Sequence, residues 1–362
     1  MIYSRRKFIT TLGAGSALLT LPTFSKLSGT LMAQDKKLGV ALVGLGNYAT
    51  HQLAPALQET SRCYLSGIVT GTPAKAEMWK RQYKIPDKNI YNYSNFDKIA
   101  DNKSINAVYV VLPNSMHHEF VIRAAKAGKH VFCEKPMALN VKECGEMITA
   151  CKKAGVRLFV GYRLHSEPHH KAAMKFRTGG SSGILYVQSE FGFKIGDANQ
   201  WRLKKSLAGG GAMMDLGIYA IQAARYSTGQ EPVSVTAREY KTDDIKFNQV
   251  DETVTWQMEF PDGHVSNSYT SYSTPANRLY ISTENRWFNL FPAYNYRGIQ
   301  GSTNEGMLEL PDINQQAAQM DNFSKCIIDE TPSDASGEEG LKDLKVIDAI
   351  YKAIESGTRV QV

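Results

Sequence analysis

The 362-residue sequence predicts an α/β domain with a doubly wound parallel sheet, followed by an α+β domain with an open, mainly antiparallel sheet. From residue 37 to about 163, nearly continuous apolar strands alternate with helical patterns, which is typical of strands buried on both faces. After about residue 180, the strands alternate polar and apolar residues, which indicates a sheet with one exposed face. The chain is also longer than one ordinary domain.

In the first half, two helical segments end at Gly128 and Gly155, each after a cationic last turn. They separate strands at the spacing of a doubly wound sheet of the Rossmann type. The five predicted strands are LGVALVG, YLSGIVTG, INAVYVVLP, KHVFCEKP and VRLFVGYR.

In the second half, the Pro261-Asp262-Gly263 step joins two strand segments as a hairpin. Three helices are predicted, approximately over Gly211–Thr228, Gln315–Asp329 and Gly337–Ser356. The five strand segments are ILYVQSEFGF, EPVSVTAREYK, ETVTWQMEF, HVSNSYTSYS and RLYISTENRWFNLF.

The N-terminal segment has the composition of an export signal. Arg5 and Arg6 precede an apolar stretch from Phe8 to Leu21, and small residues lie near a possible cleavage point after Ala33. Threonines and glycines make this stretch weakly hydrophobic, which fits a twin-arginine signal better than an amphipathic helix or a membrane anchor. We therefore expect recognition by the twin-arginine export machinery and a periplasmic or otherwise exported location.

The charge of the chain gives no indication of a nucleic-acid partner. The formal net charge is +7, but four cations lie in the leader, and the remaining 38 Lys and Arg face 35 Asp and Glu, a net charge of +3. No Lys or Arg run with interleaved aromatics is present. The five cysteines form neither a CxxC pair nor an even framework, and Cys144 and Cys151 are expected to be small core residues.

The first strand is followed by Gly44-Leu45-Gly46-Asn47-Tyr48-Ala49, a GxGxxA turn that leads into a helical pattern. The first two glycines allow a tight turn and let the backbone approach a pyrophosphate, which then lies at the positive end of the helix. Because a strand precedes the turn and a helix follows it, the motif predicts a dinucleotide site that includes Gly44, Gly46, Asn47 and Tyr48.

The end of the second strand indicates which dinucleotide binds. An NAD site places an Asp or Glu there for the ribose hydroxyl, whereas this chain has Thr70, Gly71 and Lys75 and no carboxylate before Glu77. A hydroxyl, a glycine turn and a nearby cation suit a 2′-phosphate, so NADP is favoured over NAD. The alternative is that Lys75 is a solvated residue at a helix start.

A third strand ends at Pro113-Asn114, before the helix that carries His117 and His118. A strand end in this position faces the ligand crevice, so Pro113, Asn114 and His117 are expected to lie against the cofactor. Neighbouring residues on a helix point about 100° apart, and the sequence shows no third ligand, so no metal site is predicted.

The fourth strand ends in Glu134-Lys135-Pro136, which places two charges at the carboxyl edge of the nucleotide sheet. Unpaired buried charges are costly, so the triplet is either a salt-bridged strand end or part of a catalytic site.

Taken together, GLGNYA, VLPNSMHHEF, EKP and GGGAMMDLGIY resemble the Gfo/Idh/MocA oxidoreductase family over nearly all of the chain after the leader. Family members usually carry Asp-x-x-x-His on the helix facing the nicotinamide, whereas this chain has Asp215 and Tyr219. The tyrosine, the three-glycine lead-in, the Thr-Gly…Lys element and the export signal resemble most the periplasmic, glucose-fructose oxidoreductase-like members. The resemblance implies a Lys-Pro bond that is often cis and a lysine, here Lys135, beside the reacting carbon. Glu134 and Lys135 are also expected to contact the cofactor.

Asp215 and Tyr219 are four residues apart, so both lie on one helical face and can point at one substrate. Oxidising a sugar hydroxyl requires removal of its proton as hydride leaves the carbon. Tyrosine is a weak base at its ordinary pKa of about 10, and a neighbouring ammonium favours the phenolate. We expect Tyr219 to act as acid and base, Lys135 to tune it, and Asp215 to hold a second hydroxyl or orient Lys135. The alternative is that Tyr219 is a core aromatic.

Two flanking segments are expected to complete the pocket. GYRLHSEPHH places Tyr162, Arg163 and His165 at the domain junction, and NQWRLKKSLAGGG places Trp201 and Arg202 on a loop before the catalytic helix. All of these residues except Arg163 are candidates for substrate binding, and the ring of Trp201 could pack against sugar C–H groups. Arg163 either binds the cofactor or tethers the domains through an ion pair.

Four segments are therefore predicted: a signal at 1–33, an NADP-binding domain at 34–160, a substrate and oligomerisation domain at 161–335, and a C-terminal helix and tail at 336–362 that pack back on the first domain. The open sheet would expose apolar side chains on one face, which predicts a homodimer or homotetramer through that face, as the family resemblance also implies.

The predicted reaction is hydride transfer between tightly bound NADP and sugars or polyols. Since an exported protein meets no free NADP pool, the cofactor would be carried across and regenerated in place, with oxidation of an aldose to a lactone coupled to reduction of a ketose or aldose. The second possibility is a redox-neutral glycosidase or epimerase, with His165, Glu167 or His169 as the added acid. A non-catalytic sugar-binding role would leave Lys135 and Tyr219 without a purpose.

Overall fold

Two β-sheets organise the part of the chain described by the computed structural model, residues 37–177 and 183–362. These residues belong to one compact unit. The predicted export signal at 1–33, with its twin arginines, lies outside the described residues.

The first sheet is parallel, as predicted. Its spatial order is 3-2-1-4-5-6, so the winding direction reverses between the first and fourth strands, where ligands bind in such folds. The sequence missed the third strand because it is only two residues long. The strands are β1 (Leu38–Val43), β2 (Cys63–Val69), β3 (Ile90–Tyr91), β4 (Ala107–Val110), β5 (His130–Cys133) and β6 (Leu158–Val160). The connecting helices are α1 (Ala54–Glu59), α2 (Pro73–Tyr83), α3 (His117–Lys126) and α4 (Val141–Lys153).

The second sheet has nine strands in the order 14-13-12-11-7-10-9-8-15, and every pair is antiparallel except the seventh with the tenth. The predicted hairpin at Pro261-Asp262-Gly263 is confirmed, whereas the segment predicted as RLYISTENRWFNLF forms two strands around a turn at 283–286. The strands are β7 (Tyr186–Gly192), β8 (Ser234–Tyr240), β9 (Thr253–Glu259), β10 (Val265–Ser271), β11 (Ala276–Ser282), β12 (Trp287–Leu290), β13 (Gly301–Thr303), β14 (Gly306–Met307) and β15 (Val360–Gln361).

The helices of the second half include the three that the sequence predicts. The long predicted helix begins with a π-helical turn, Met213–Gly217, before it becomes regular. Within residues 37–177 and 183–362, no helix combines the length and apolarity needed to cross a membrane. The α-helices are α5 (Pro168–Phe176), α6 (Lys205–Ala208), α7 (Ile218–Thr228), α8 (Gln315–Ile328) and α9 (Gly337–Ser356).

Over β7 to β10, the outer face of the second sheet is mainly polar, so the expected exposure of apolar side chains is not found in this part of the sheet. Strand alternation turns Val187, Val254 and Met258 inward, where they are fully buried. A shallow groove on the outer face is lined mainly by polar side chains: Gln188, Glu190, Thr236, Arg238, Thr255, Gln257, Asn267, Tyr269 and Arg359.

Helix α9 lies between the two sheets. It packs against α4 and β6 of the first domain and against β8 of the second. The tail strand β15 pairs with β8, so the end of the predicted 336–362 segment adds to the second sheet rather than to the first.

A buried ionic network joins α7, α9 and the end of β6. Asp343 on α9 is fully buried and accepts hydrogen bonds from Arg225, Tyr162 and Gln222. Because two of these donors lie on α7 and the third follows β6, the carboxylate fixes the position of α7 against the first domain.

We predict that Asp343→Ala lowers the free energy of unfolding by about 2 kcal/mol or more, since the buried Tyr162 and Gln222 lose their acceptor. Arg225 loses one of its three carboxylate partners and keeps Glu231 and Glu339. Urea unfolding monitored by circular dichroism measures the loss. The matched control is Asp329→Ala, which removes an exposed partner of Lys325 and should change the free energy of unfolding much less. Equal losses in the two variants would contradict the structural role of Asp343.

Candidate active site

A cleft of about 960 Å³ opens at the carboxyl ends of β1, β4 and β5 and extends to β7. It gathers most of the predicted site residues, whereas Gly71, Tyr162 and His165 do not line it. The predicted residues that line it are Gly44, Gly46, Asn47, Tyr48, Thr70, Lys75, Pro113, Asn114, His117, Glu134, Lys135, Arg163, Trp201, Arg202, Asp215 and Tyr219.

The glycine turn forms a cradle in the cleft. Gly44 has φ 97°, a left-handed conformation, and a Cβ there would lie 2.5 Å from the carbonyl oxygen of Val111. A Cβ on Gly46 would meet no atom within 4 Å, so the backbone at Gly46 borders open space. A helical segment starts at Ala49, and its N-terminal amides favour an anion. The turn therefore fits the pyrophosphate of a dinucleotide.

The end of β2 supplies a cation and hydroxyl groups. Lys75 Nζ donates to the carbonyl oxygen of Leu45 at 3.0 Å, so the ammonium lies beside the glycine turn. The hydroxyl oxygen of Thr70 accepts from the amide of Thr72 at 3.2 Å. Among the described residues that line the cleft, the carboxylates are Glu134, directly after β5, and Asp215, in the π-helical turn.

The loop after β4 is fixed by side chains that bond to backbone. Asn114 donates to the carbonyl oxygen of Ala208 in α6 at 2.8 Å. The ring of His117 is buried, and its two nitrogens lie 3.0 and 2.9 Å from the carbonyl oxygens of Pro136 and Leu112. Burial lowers the pKa of His117. His117 therefore holds the segment after β5 in place, and its ring nitrogens are already engaged.

Glu134 is a buried carboxylate beneath the cleft. It accepts a hydrogen bond of 2.6 Å from the hydroxyl of Tyr109, which itself accepts from Gln319 at 2.7 Å. Burial raises the pKa of Glu134, and the Tyr109 bond and the charge of Lys135 offset part of this rise. The Lys135-Pro136 peptide bond that follows is cis.

Asp215 is held by three donors from separate parts of the chain. Lys135 Nζ lies 2.9 Å from its carboxylate and 2.5 Å from its carbonyl oxygen, Arg202 Nε donates at 3.1 Å, and the hydroxyl of Tyr272 donates at 3.0 Å. Burial alone would raise the pKa of Asp215, but the charges of Lys135 and Arg202 outweigh it and hold the pKa well below its ordinary value. Asp215 thus orients Lys135, which is one of its two predicted roles.

Tyr219 projects from the same helical segment into the cleft. The ammonium of Lys135 lies over its ring, 4.8 Å from the centroid. Its hydroxyl oxygen accepts a hydrogen bond of 3.3 Å from Nε of Arg163. The sequence assigned the cation beside the phenol to Lys135, whereas the donor that reaches the oxygen is Arg163.

Arg163 is buried and holds the two domains together without an ion pair. Its guanidinium donates to the carbonyl oxygens of Tyr294 and Asn295, at 2.6 and 3.2 Å, and to the side chain of Gln315. In the described part of the chain, no carboxylate lies within ion-pair distance of it. The predicted domain-tethering ion pair is therefore not formed among the described residues, and Arg163 bonds to carbonyl and amide partners instead.

The neighbours of Arg163 point away from the cleft. Tyr162 donates to Asp343, and His165 Nε2 lies 2.5 Å from the amide oxygen of Gln222. Adjacent residues in the helical turn after β6 diverge, so only one of the three candidates reaches the substrate side. Arg202, by contrast, lines the cleft and stacks on Trp201, with 4.6 Å from its Cζ to the ring centroid.

The sequence missed several residues of the cleft. Tyr272 is fully buried against Asp215, and Tyr296 stacks on Arg163 at 4.6 Å. The aromatic and amide-rich segment FPAYNYRG, after the last predicted strand, was the available signal for Asn295 and Tyr296. Within residues 37–177 and 183–362, no group of three His, Cys, Asp or Glu side chains is placed to hold a metal ion.

The fold and the cleft together define a two-domain oxidoreductase that uses a nicotinamide dinucleotide. The chain belongs to the Gfo/Idh/MocA family: residues 38–162 match the oxidoreductase family with an NAD-binding Rossmann fold, and residues 174–289 match the GFO/IDH/MocA C-terminal domain. The predicted resemblance is confirmed at this level.

Several relatives are similar over nearly their whole length. Aldose-aldose oxidoreductase from Caulobacter crescentus, solved as a complex with glycerol, is 43% identical, with a TM-score of 0.88 and coverage of 90% of this chain and 100% of that one. D-xylose 1-dehydrogenase (NADP(+)) from Haloarcula marismortui is 29% identical over 345 residues, 91% of this chain and 94% of the relative. D-xylose 1-dehydrogenase (NADP(+)) 2 from Haloferax volcanii is 27% identical over 331 residues, 89% of this chain and 98% of the relative.

We predict that Asp215→Asn lowers the free energy of unfolding by about 3 kcal/mol at pH 7, because Lys135 and Arg202 lose their counter-ion. Since the folded pKa of Asp215 is depressed, its stabilisation is present above the unfolded pKa of about 4 and is lost as the pH falls through the folded value. The difference between wild type and variant should therefore narrow below about pH 4.

Urea unfolding at several pH values from 7 to 3 measures this difference. The control Asp348→Asn, at an exposed pair with Lys352, should change stability by less than about 1 kcal/mol at every pH. A loss that is the same at pH 3 as at pH 7 would show that the charge of Asp215 is not what stabilises the site.

Proposed function

We propose that this protein is an exported oxidoreductase that transfers hydride between tightly bound NADP(H) and sugars or polyols. An aldose is oxidised to a lactone, and a ketose or a second aldose is reduced. Tyr219 is the acid and base, Lys135 and Asp215 position the substrate and the proton, and the cofactor stays bound between the two half-reactions.

One observation carries this proposal. Tyr219, Lys135 and Asp215 converge in the same cleft as the dinucleotide turn, with the ammonium of Lys135 4.8 Å from the centre of the tyrosine ring. The names of the relatives support a sugar substrate, since an aldose-aldose oxidoreductase and two D-xylose 1-dehydrogenases align over most of the chain.

The nicotinamide, when bound, supplies the group that accepts and returns the hydride. In the first half-reaction, the phenolate oxygen of Tyr219 takes the proton of the sugar hydroxyl as the C–H bond breaks, and Tyr219 becomes the neutral phenol. In the second, Tyr219 returns that proton to the carbonyl oxygen of the acceptor. Asp215 holds Lys135 in place. In this mechanism, the ammonium of Lys135 lies beside the reacting oxygen of the sugar and stabilises the negative charge that develops on that oxygen.

NADP is the proposed cofactor because the end of β2 offers hydroxyls and Lys75 where an NAD site carries a carboxylate. We predict that Lys75→Ala weakens NADP binding by about tenfold or more, as loss of a charge-assisted hydrogen bond implies, while NAD binding is nearly unchanged. Isothermal titration of protein stripped of nucleotide measures both affinities.

Lys80→Ala is the matched control, because Lys80 lies on the same helix but pairs with Asp87 outside the cleft. If Lys75→Ala weakened NAD and NADP equally, Lys75 would contact the shared pyrophosphate near Leu45 rather than the 2′-phosphate.

Export through the twin-arginine machinery is part of the proposal and rests on the leader sequence. An exported enzyme that keeps NADP bound needs a second substrate to restore it, which favours coupled sugar oxidation and reduction over release of NADPH. We also propose a homodimer or homotetramer through the outer face of the second sheet. Its Tyr269, Arg238 and Arg359 belong to residue types that are enriched at interfaces.

The redox-neutral glycosidase reading finds less support in the cleft. Glu167 caps α5 by accepting from the amide of His170 at 2.8 Å and contacts His169 at the same distance. Neither these residues nor His165 line the cleft, so the acid that this reaction requires would have to come from another residue.

We predict that the purified protein, without added cofactor, converts glucose and fructose, or glucose and xylose, into paired lactone and alditol. With glucose deuterated at C1, the label should appear on the carbon of the acceptor that is reduced, because the hydride never leaves the site. Mass spectrometry of the alditol measures the transfer. Cleavage of an aryl glycoside, without lactone, would favour the glycosidase instead.

Tyr219→Phe should reduce this transfer by at least about a hundredfold, the range expected when a general acid and base is lost, while nucleotide released by denaturation stays at the wild-type amount. Tyr226→Phe is the control, since Tyr226 lies two turns along the same helix and bonds to His170 away from the cleft. Full activity in Tyr219→Phe would remove Tyr219 from the reaction.

A further inference from the structure

Charged side chains of both signs share the cleft with Tyr219, namely the cations Lys135 and Arg163 and the carboxylates Glu134 and Asp215, and its hydroxyl oxygen accepts a hydrogen bond from Arg163. The aromatic ring of Phe191 packs edge-on against the ring of Tyr219, with 5.4 Å between the centroids, and Leu164, Ile218 and Gln222 line a small pocket beside it. Several titratable or charged side chains share the cleft with Tyr219. They come from the glycine turn, the ends of β5 and β6, the π-helical turn and the loop after β12: Tyr48, Glu134, Lys135, Arg163, Asp215, Tyr294 and Tyr296.

Lys135 is already committed to Asp215. Its Nζ donates to the carboxylate at 2.9 Å and to the backbone carbonyl at 2.5 Å, and the carboxylate compensates the charge of the ammonium. The interaction of Lys135 with Tyr219 is a cation–π contact, in which the ammonium lies over the ring face, 4.8 Å from the ring centroid. A cation over the ring is attracted to its π-electrons but does not hold the oxygen.

Arg163 meets the phenol in a different way. Its guanidinium lies between two tyrosines, with Cζ 5.1 Å from the ring centroid of Tyr219 and 4.6 Å from that of Tyr296. Its Nε points at the hydroxyl oxygen of Tyr219 at 3.3 Å. The other nitrogens are anchored on the loop after β12 and on α8, so the donor is held in one orientation.

The charge of Arg163 has no carboxylate partner within ion-pair distance among the described residues, although the residue is only 2% exposed. Every acceptor around it is neutral: two backbone carbonyls, an amide and a phenol. The charge of Arg163 offsets part of the rise in the pKa of buried Glu134. A buried cation likewise favours the anionic form of any other neighbour that can ionise. Tyr219 is the neighbour that its free Nε reaches.

We infer that Arg163 is the positioning residue of Tyr219, which fixes the phenol oxygen in the cleft and supplies the positive charge that favours its phenolate. This inference rests on the proposed acid and base role of Tyr219 and changes the assignment of the tuning cation from Lys135 to Arg163. Lys135 is thereby left to act on the substrate oxygen, with its geometry set by Asp215.

Direct observation of Tyr219 tests this inference without any substrate. Protein labelled with [ζ-13C]tyrosine is titrated from pH 7 to 11 by NMR, and Tyr219→Phe identifies the resonance of Tyr219 among the 18 tyrosines. In Arg163→Met, the phenolate signal of Tyr219 should appear about one pH unit or more above its position in the wild type, the size of shift that a neighbouring cation produces. An unchanged titration overturns the inference.

Arg157→Met is the matched control. Arg157 also donates to backbone carbonyls, with 2.8 Å to Thr331, and stacks on Phe159 at 5.3 Å, but it lies outside the cleft. The Tyr219 titration should not change in this variant, and a shift as large as in Arg163→Met would show that the effect is merely structural.

If Arg163→Met does not fold, Arg163→Lys provides the second reading. Lysine keeps a cation but lacks the planar donors of arginine, so the Tyr219 titration should shift upward by less than the shift expected for Arg163→Met. If the Tyr219 titration does not shift at all, the inference is overturned. The result of this titration can be distinguished from a failure of the proposed function, because the Tyr219 resonance can be measured whether or not the protein converts a sugar. An unshifted resonance in a protein that still couples two sugars removes only the role of Arg163.

Discussion

The buried carboxylate of Asp215 is the group on which the arrangement of the cleft depends. It joins Lys135 at the end of β5 to Arg202 and Tyr272 of the second domain, so one anion fixes both halves of the site. Burying an anion is unfavourable unless donors compensate it, and here two cations and a hydroxyl do so. The helical segment that carries Asp215 is therefore fixed in rotation, and Tyr219, one turn later on the same face, is directed into the cleft.

A second carboxylate fixes where that helical segment begins. Asp251 accepts from the backbone amides of Gly211 and Met213, each at 2.7 Å, and from the hydroxyl of Tyr351 on α9 at 2.6 Å. A Cβ on Gly211 would lie 2.0 Å from the carbonyl oxygen of Asp251, which explains why the segment needs glycine there. The helix start and the helix rotation are thus set by different anions, and together they leave Tyr219 little freedom of position.

Features that depend on a short stretch of chain were predictable from the sequence. The glycine turn, the parallel sheet, the charges after β5 and the four-residue spacing of Asp215 and Tyr219 all follow from local patterns. The partner of the Tyr219 oxygen did not follow, because Arg163, Tyr162 and His165 lie together in sequence, and which of them faces the cleft depends on packing against α7, α9 and the loop after β12. Tyr272 and Tyr296 were missed for the same reason, since Tyr272 follows the end of β10 and Tyr296 lies in the loop after β12, and tertiary packing rather than spacing brings them to the site.

The supports beneath the cleft are neutral, and this has a consequence for its chemistry. Three buried glutamines in the first turns of α8 each hold a different part of the site: Gln315 binds Arg163, Gln316 lies 3.4 Å from the hydroxyl of Tyr48, and Gln319 orients Glu134 through Tyr109. Carboxylates or ammonium groups in these places would fix the same side chains but would also cancel their charges. Amides fix the geometry by hydrogen bonds alone. The side chains of α8 therefore do not neutralise the charges of Arg163 and Glu134, which can act on a molecule bound in the cleft. In a low-dielectric site, charges left uncompensated by the scaffold interact most strongly with the bound molecule, which is the electrostatic condition that proton transfer at Tyr219 would require.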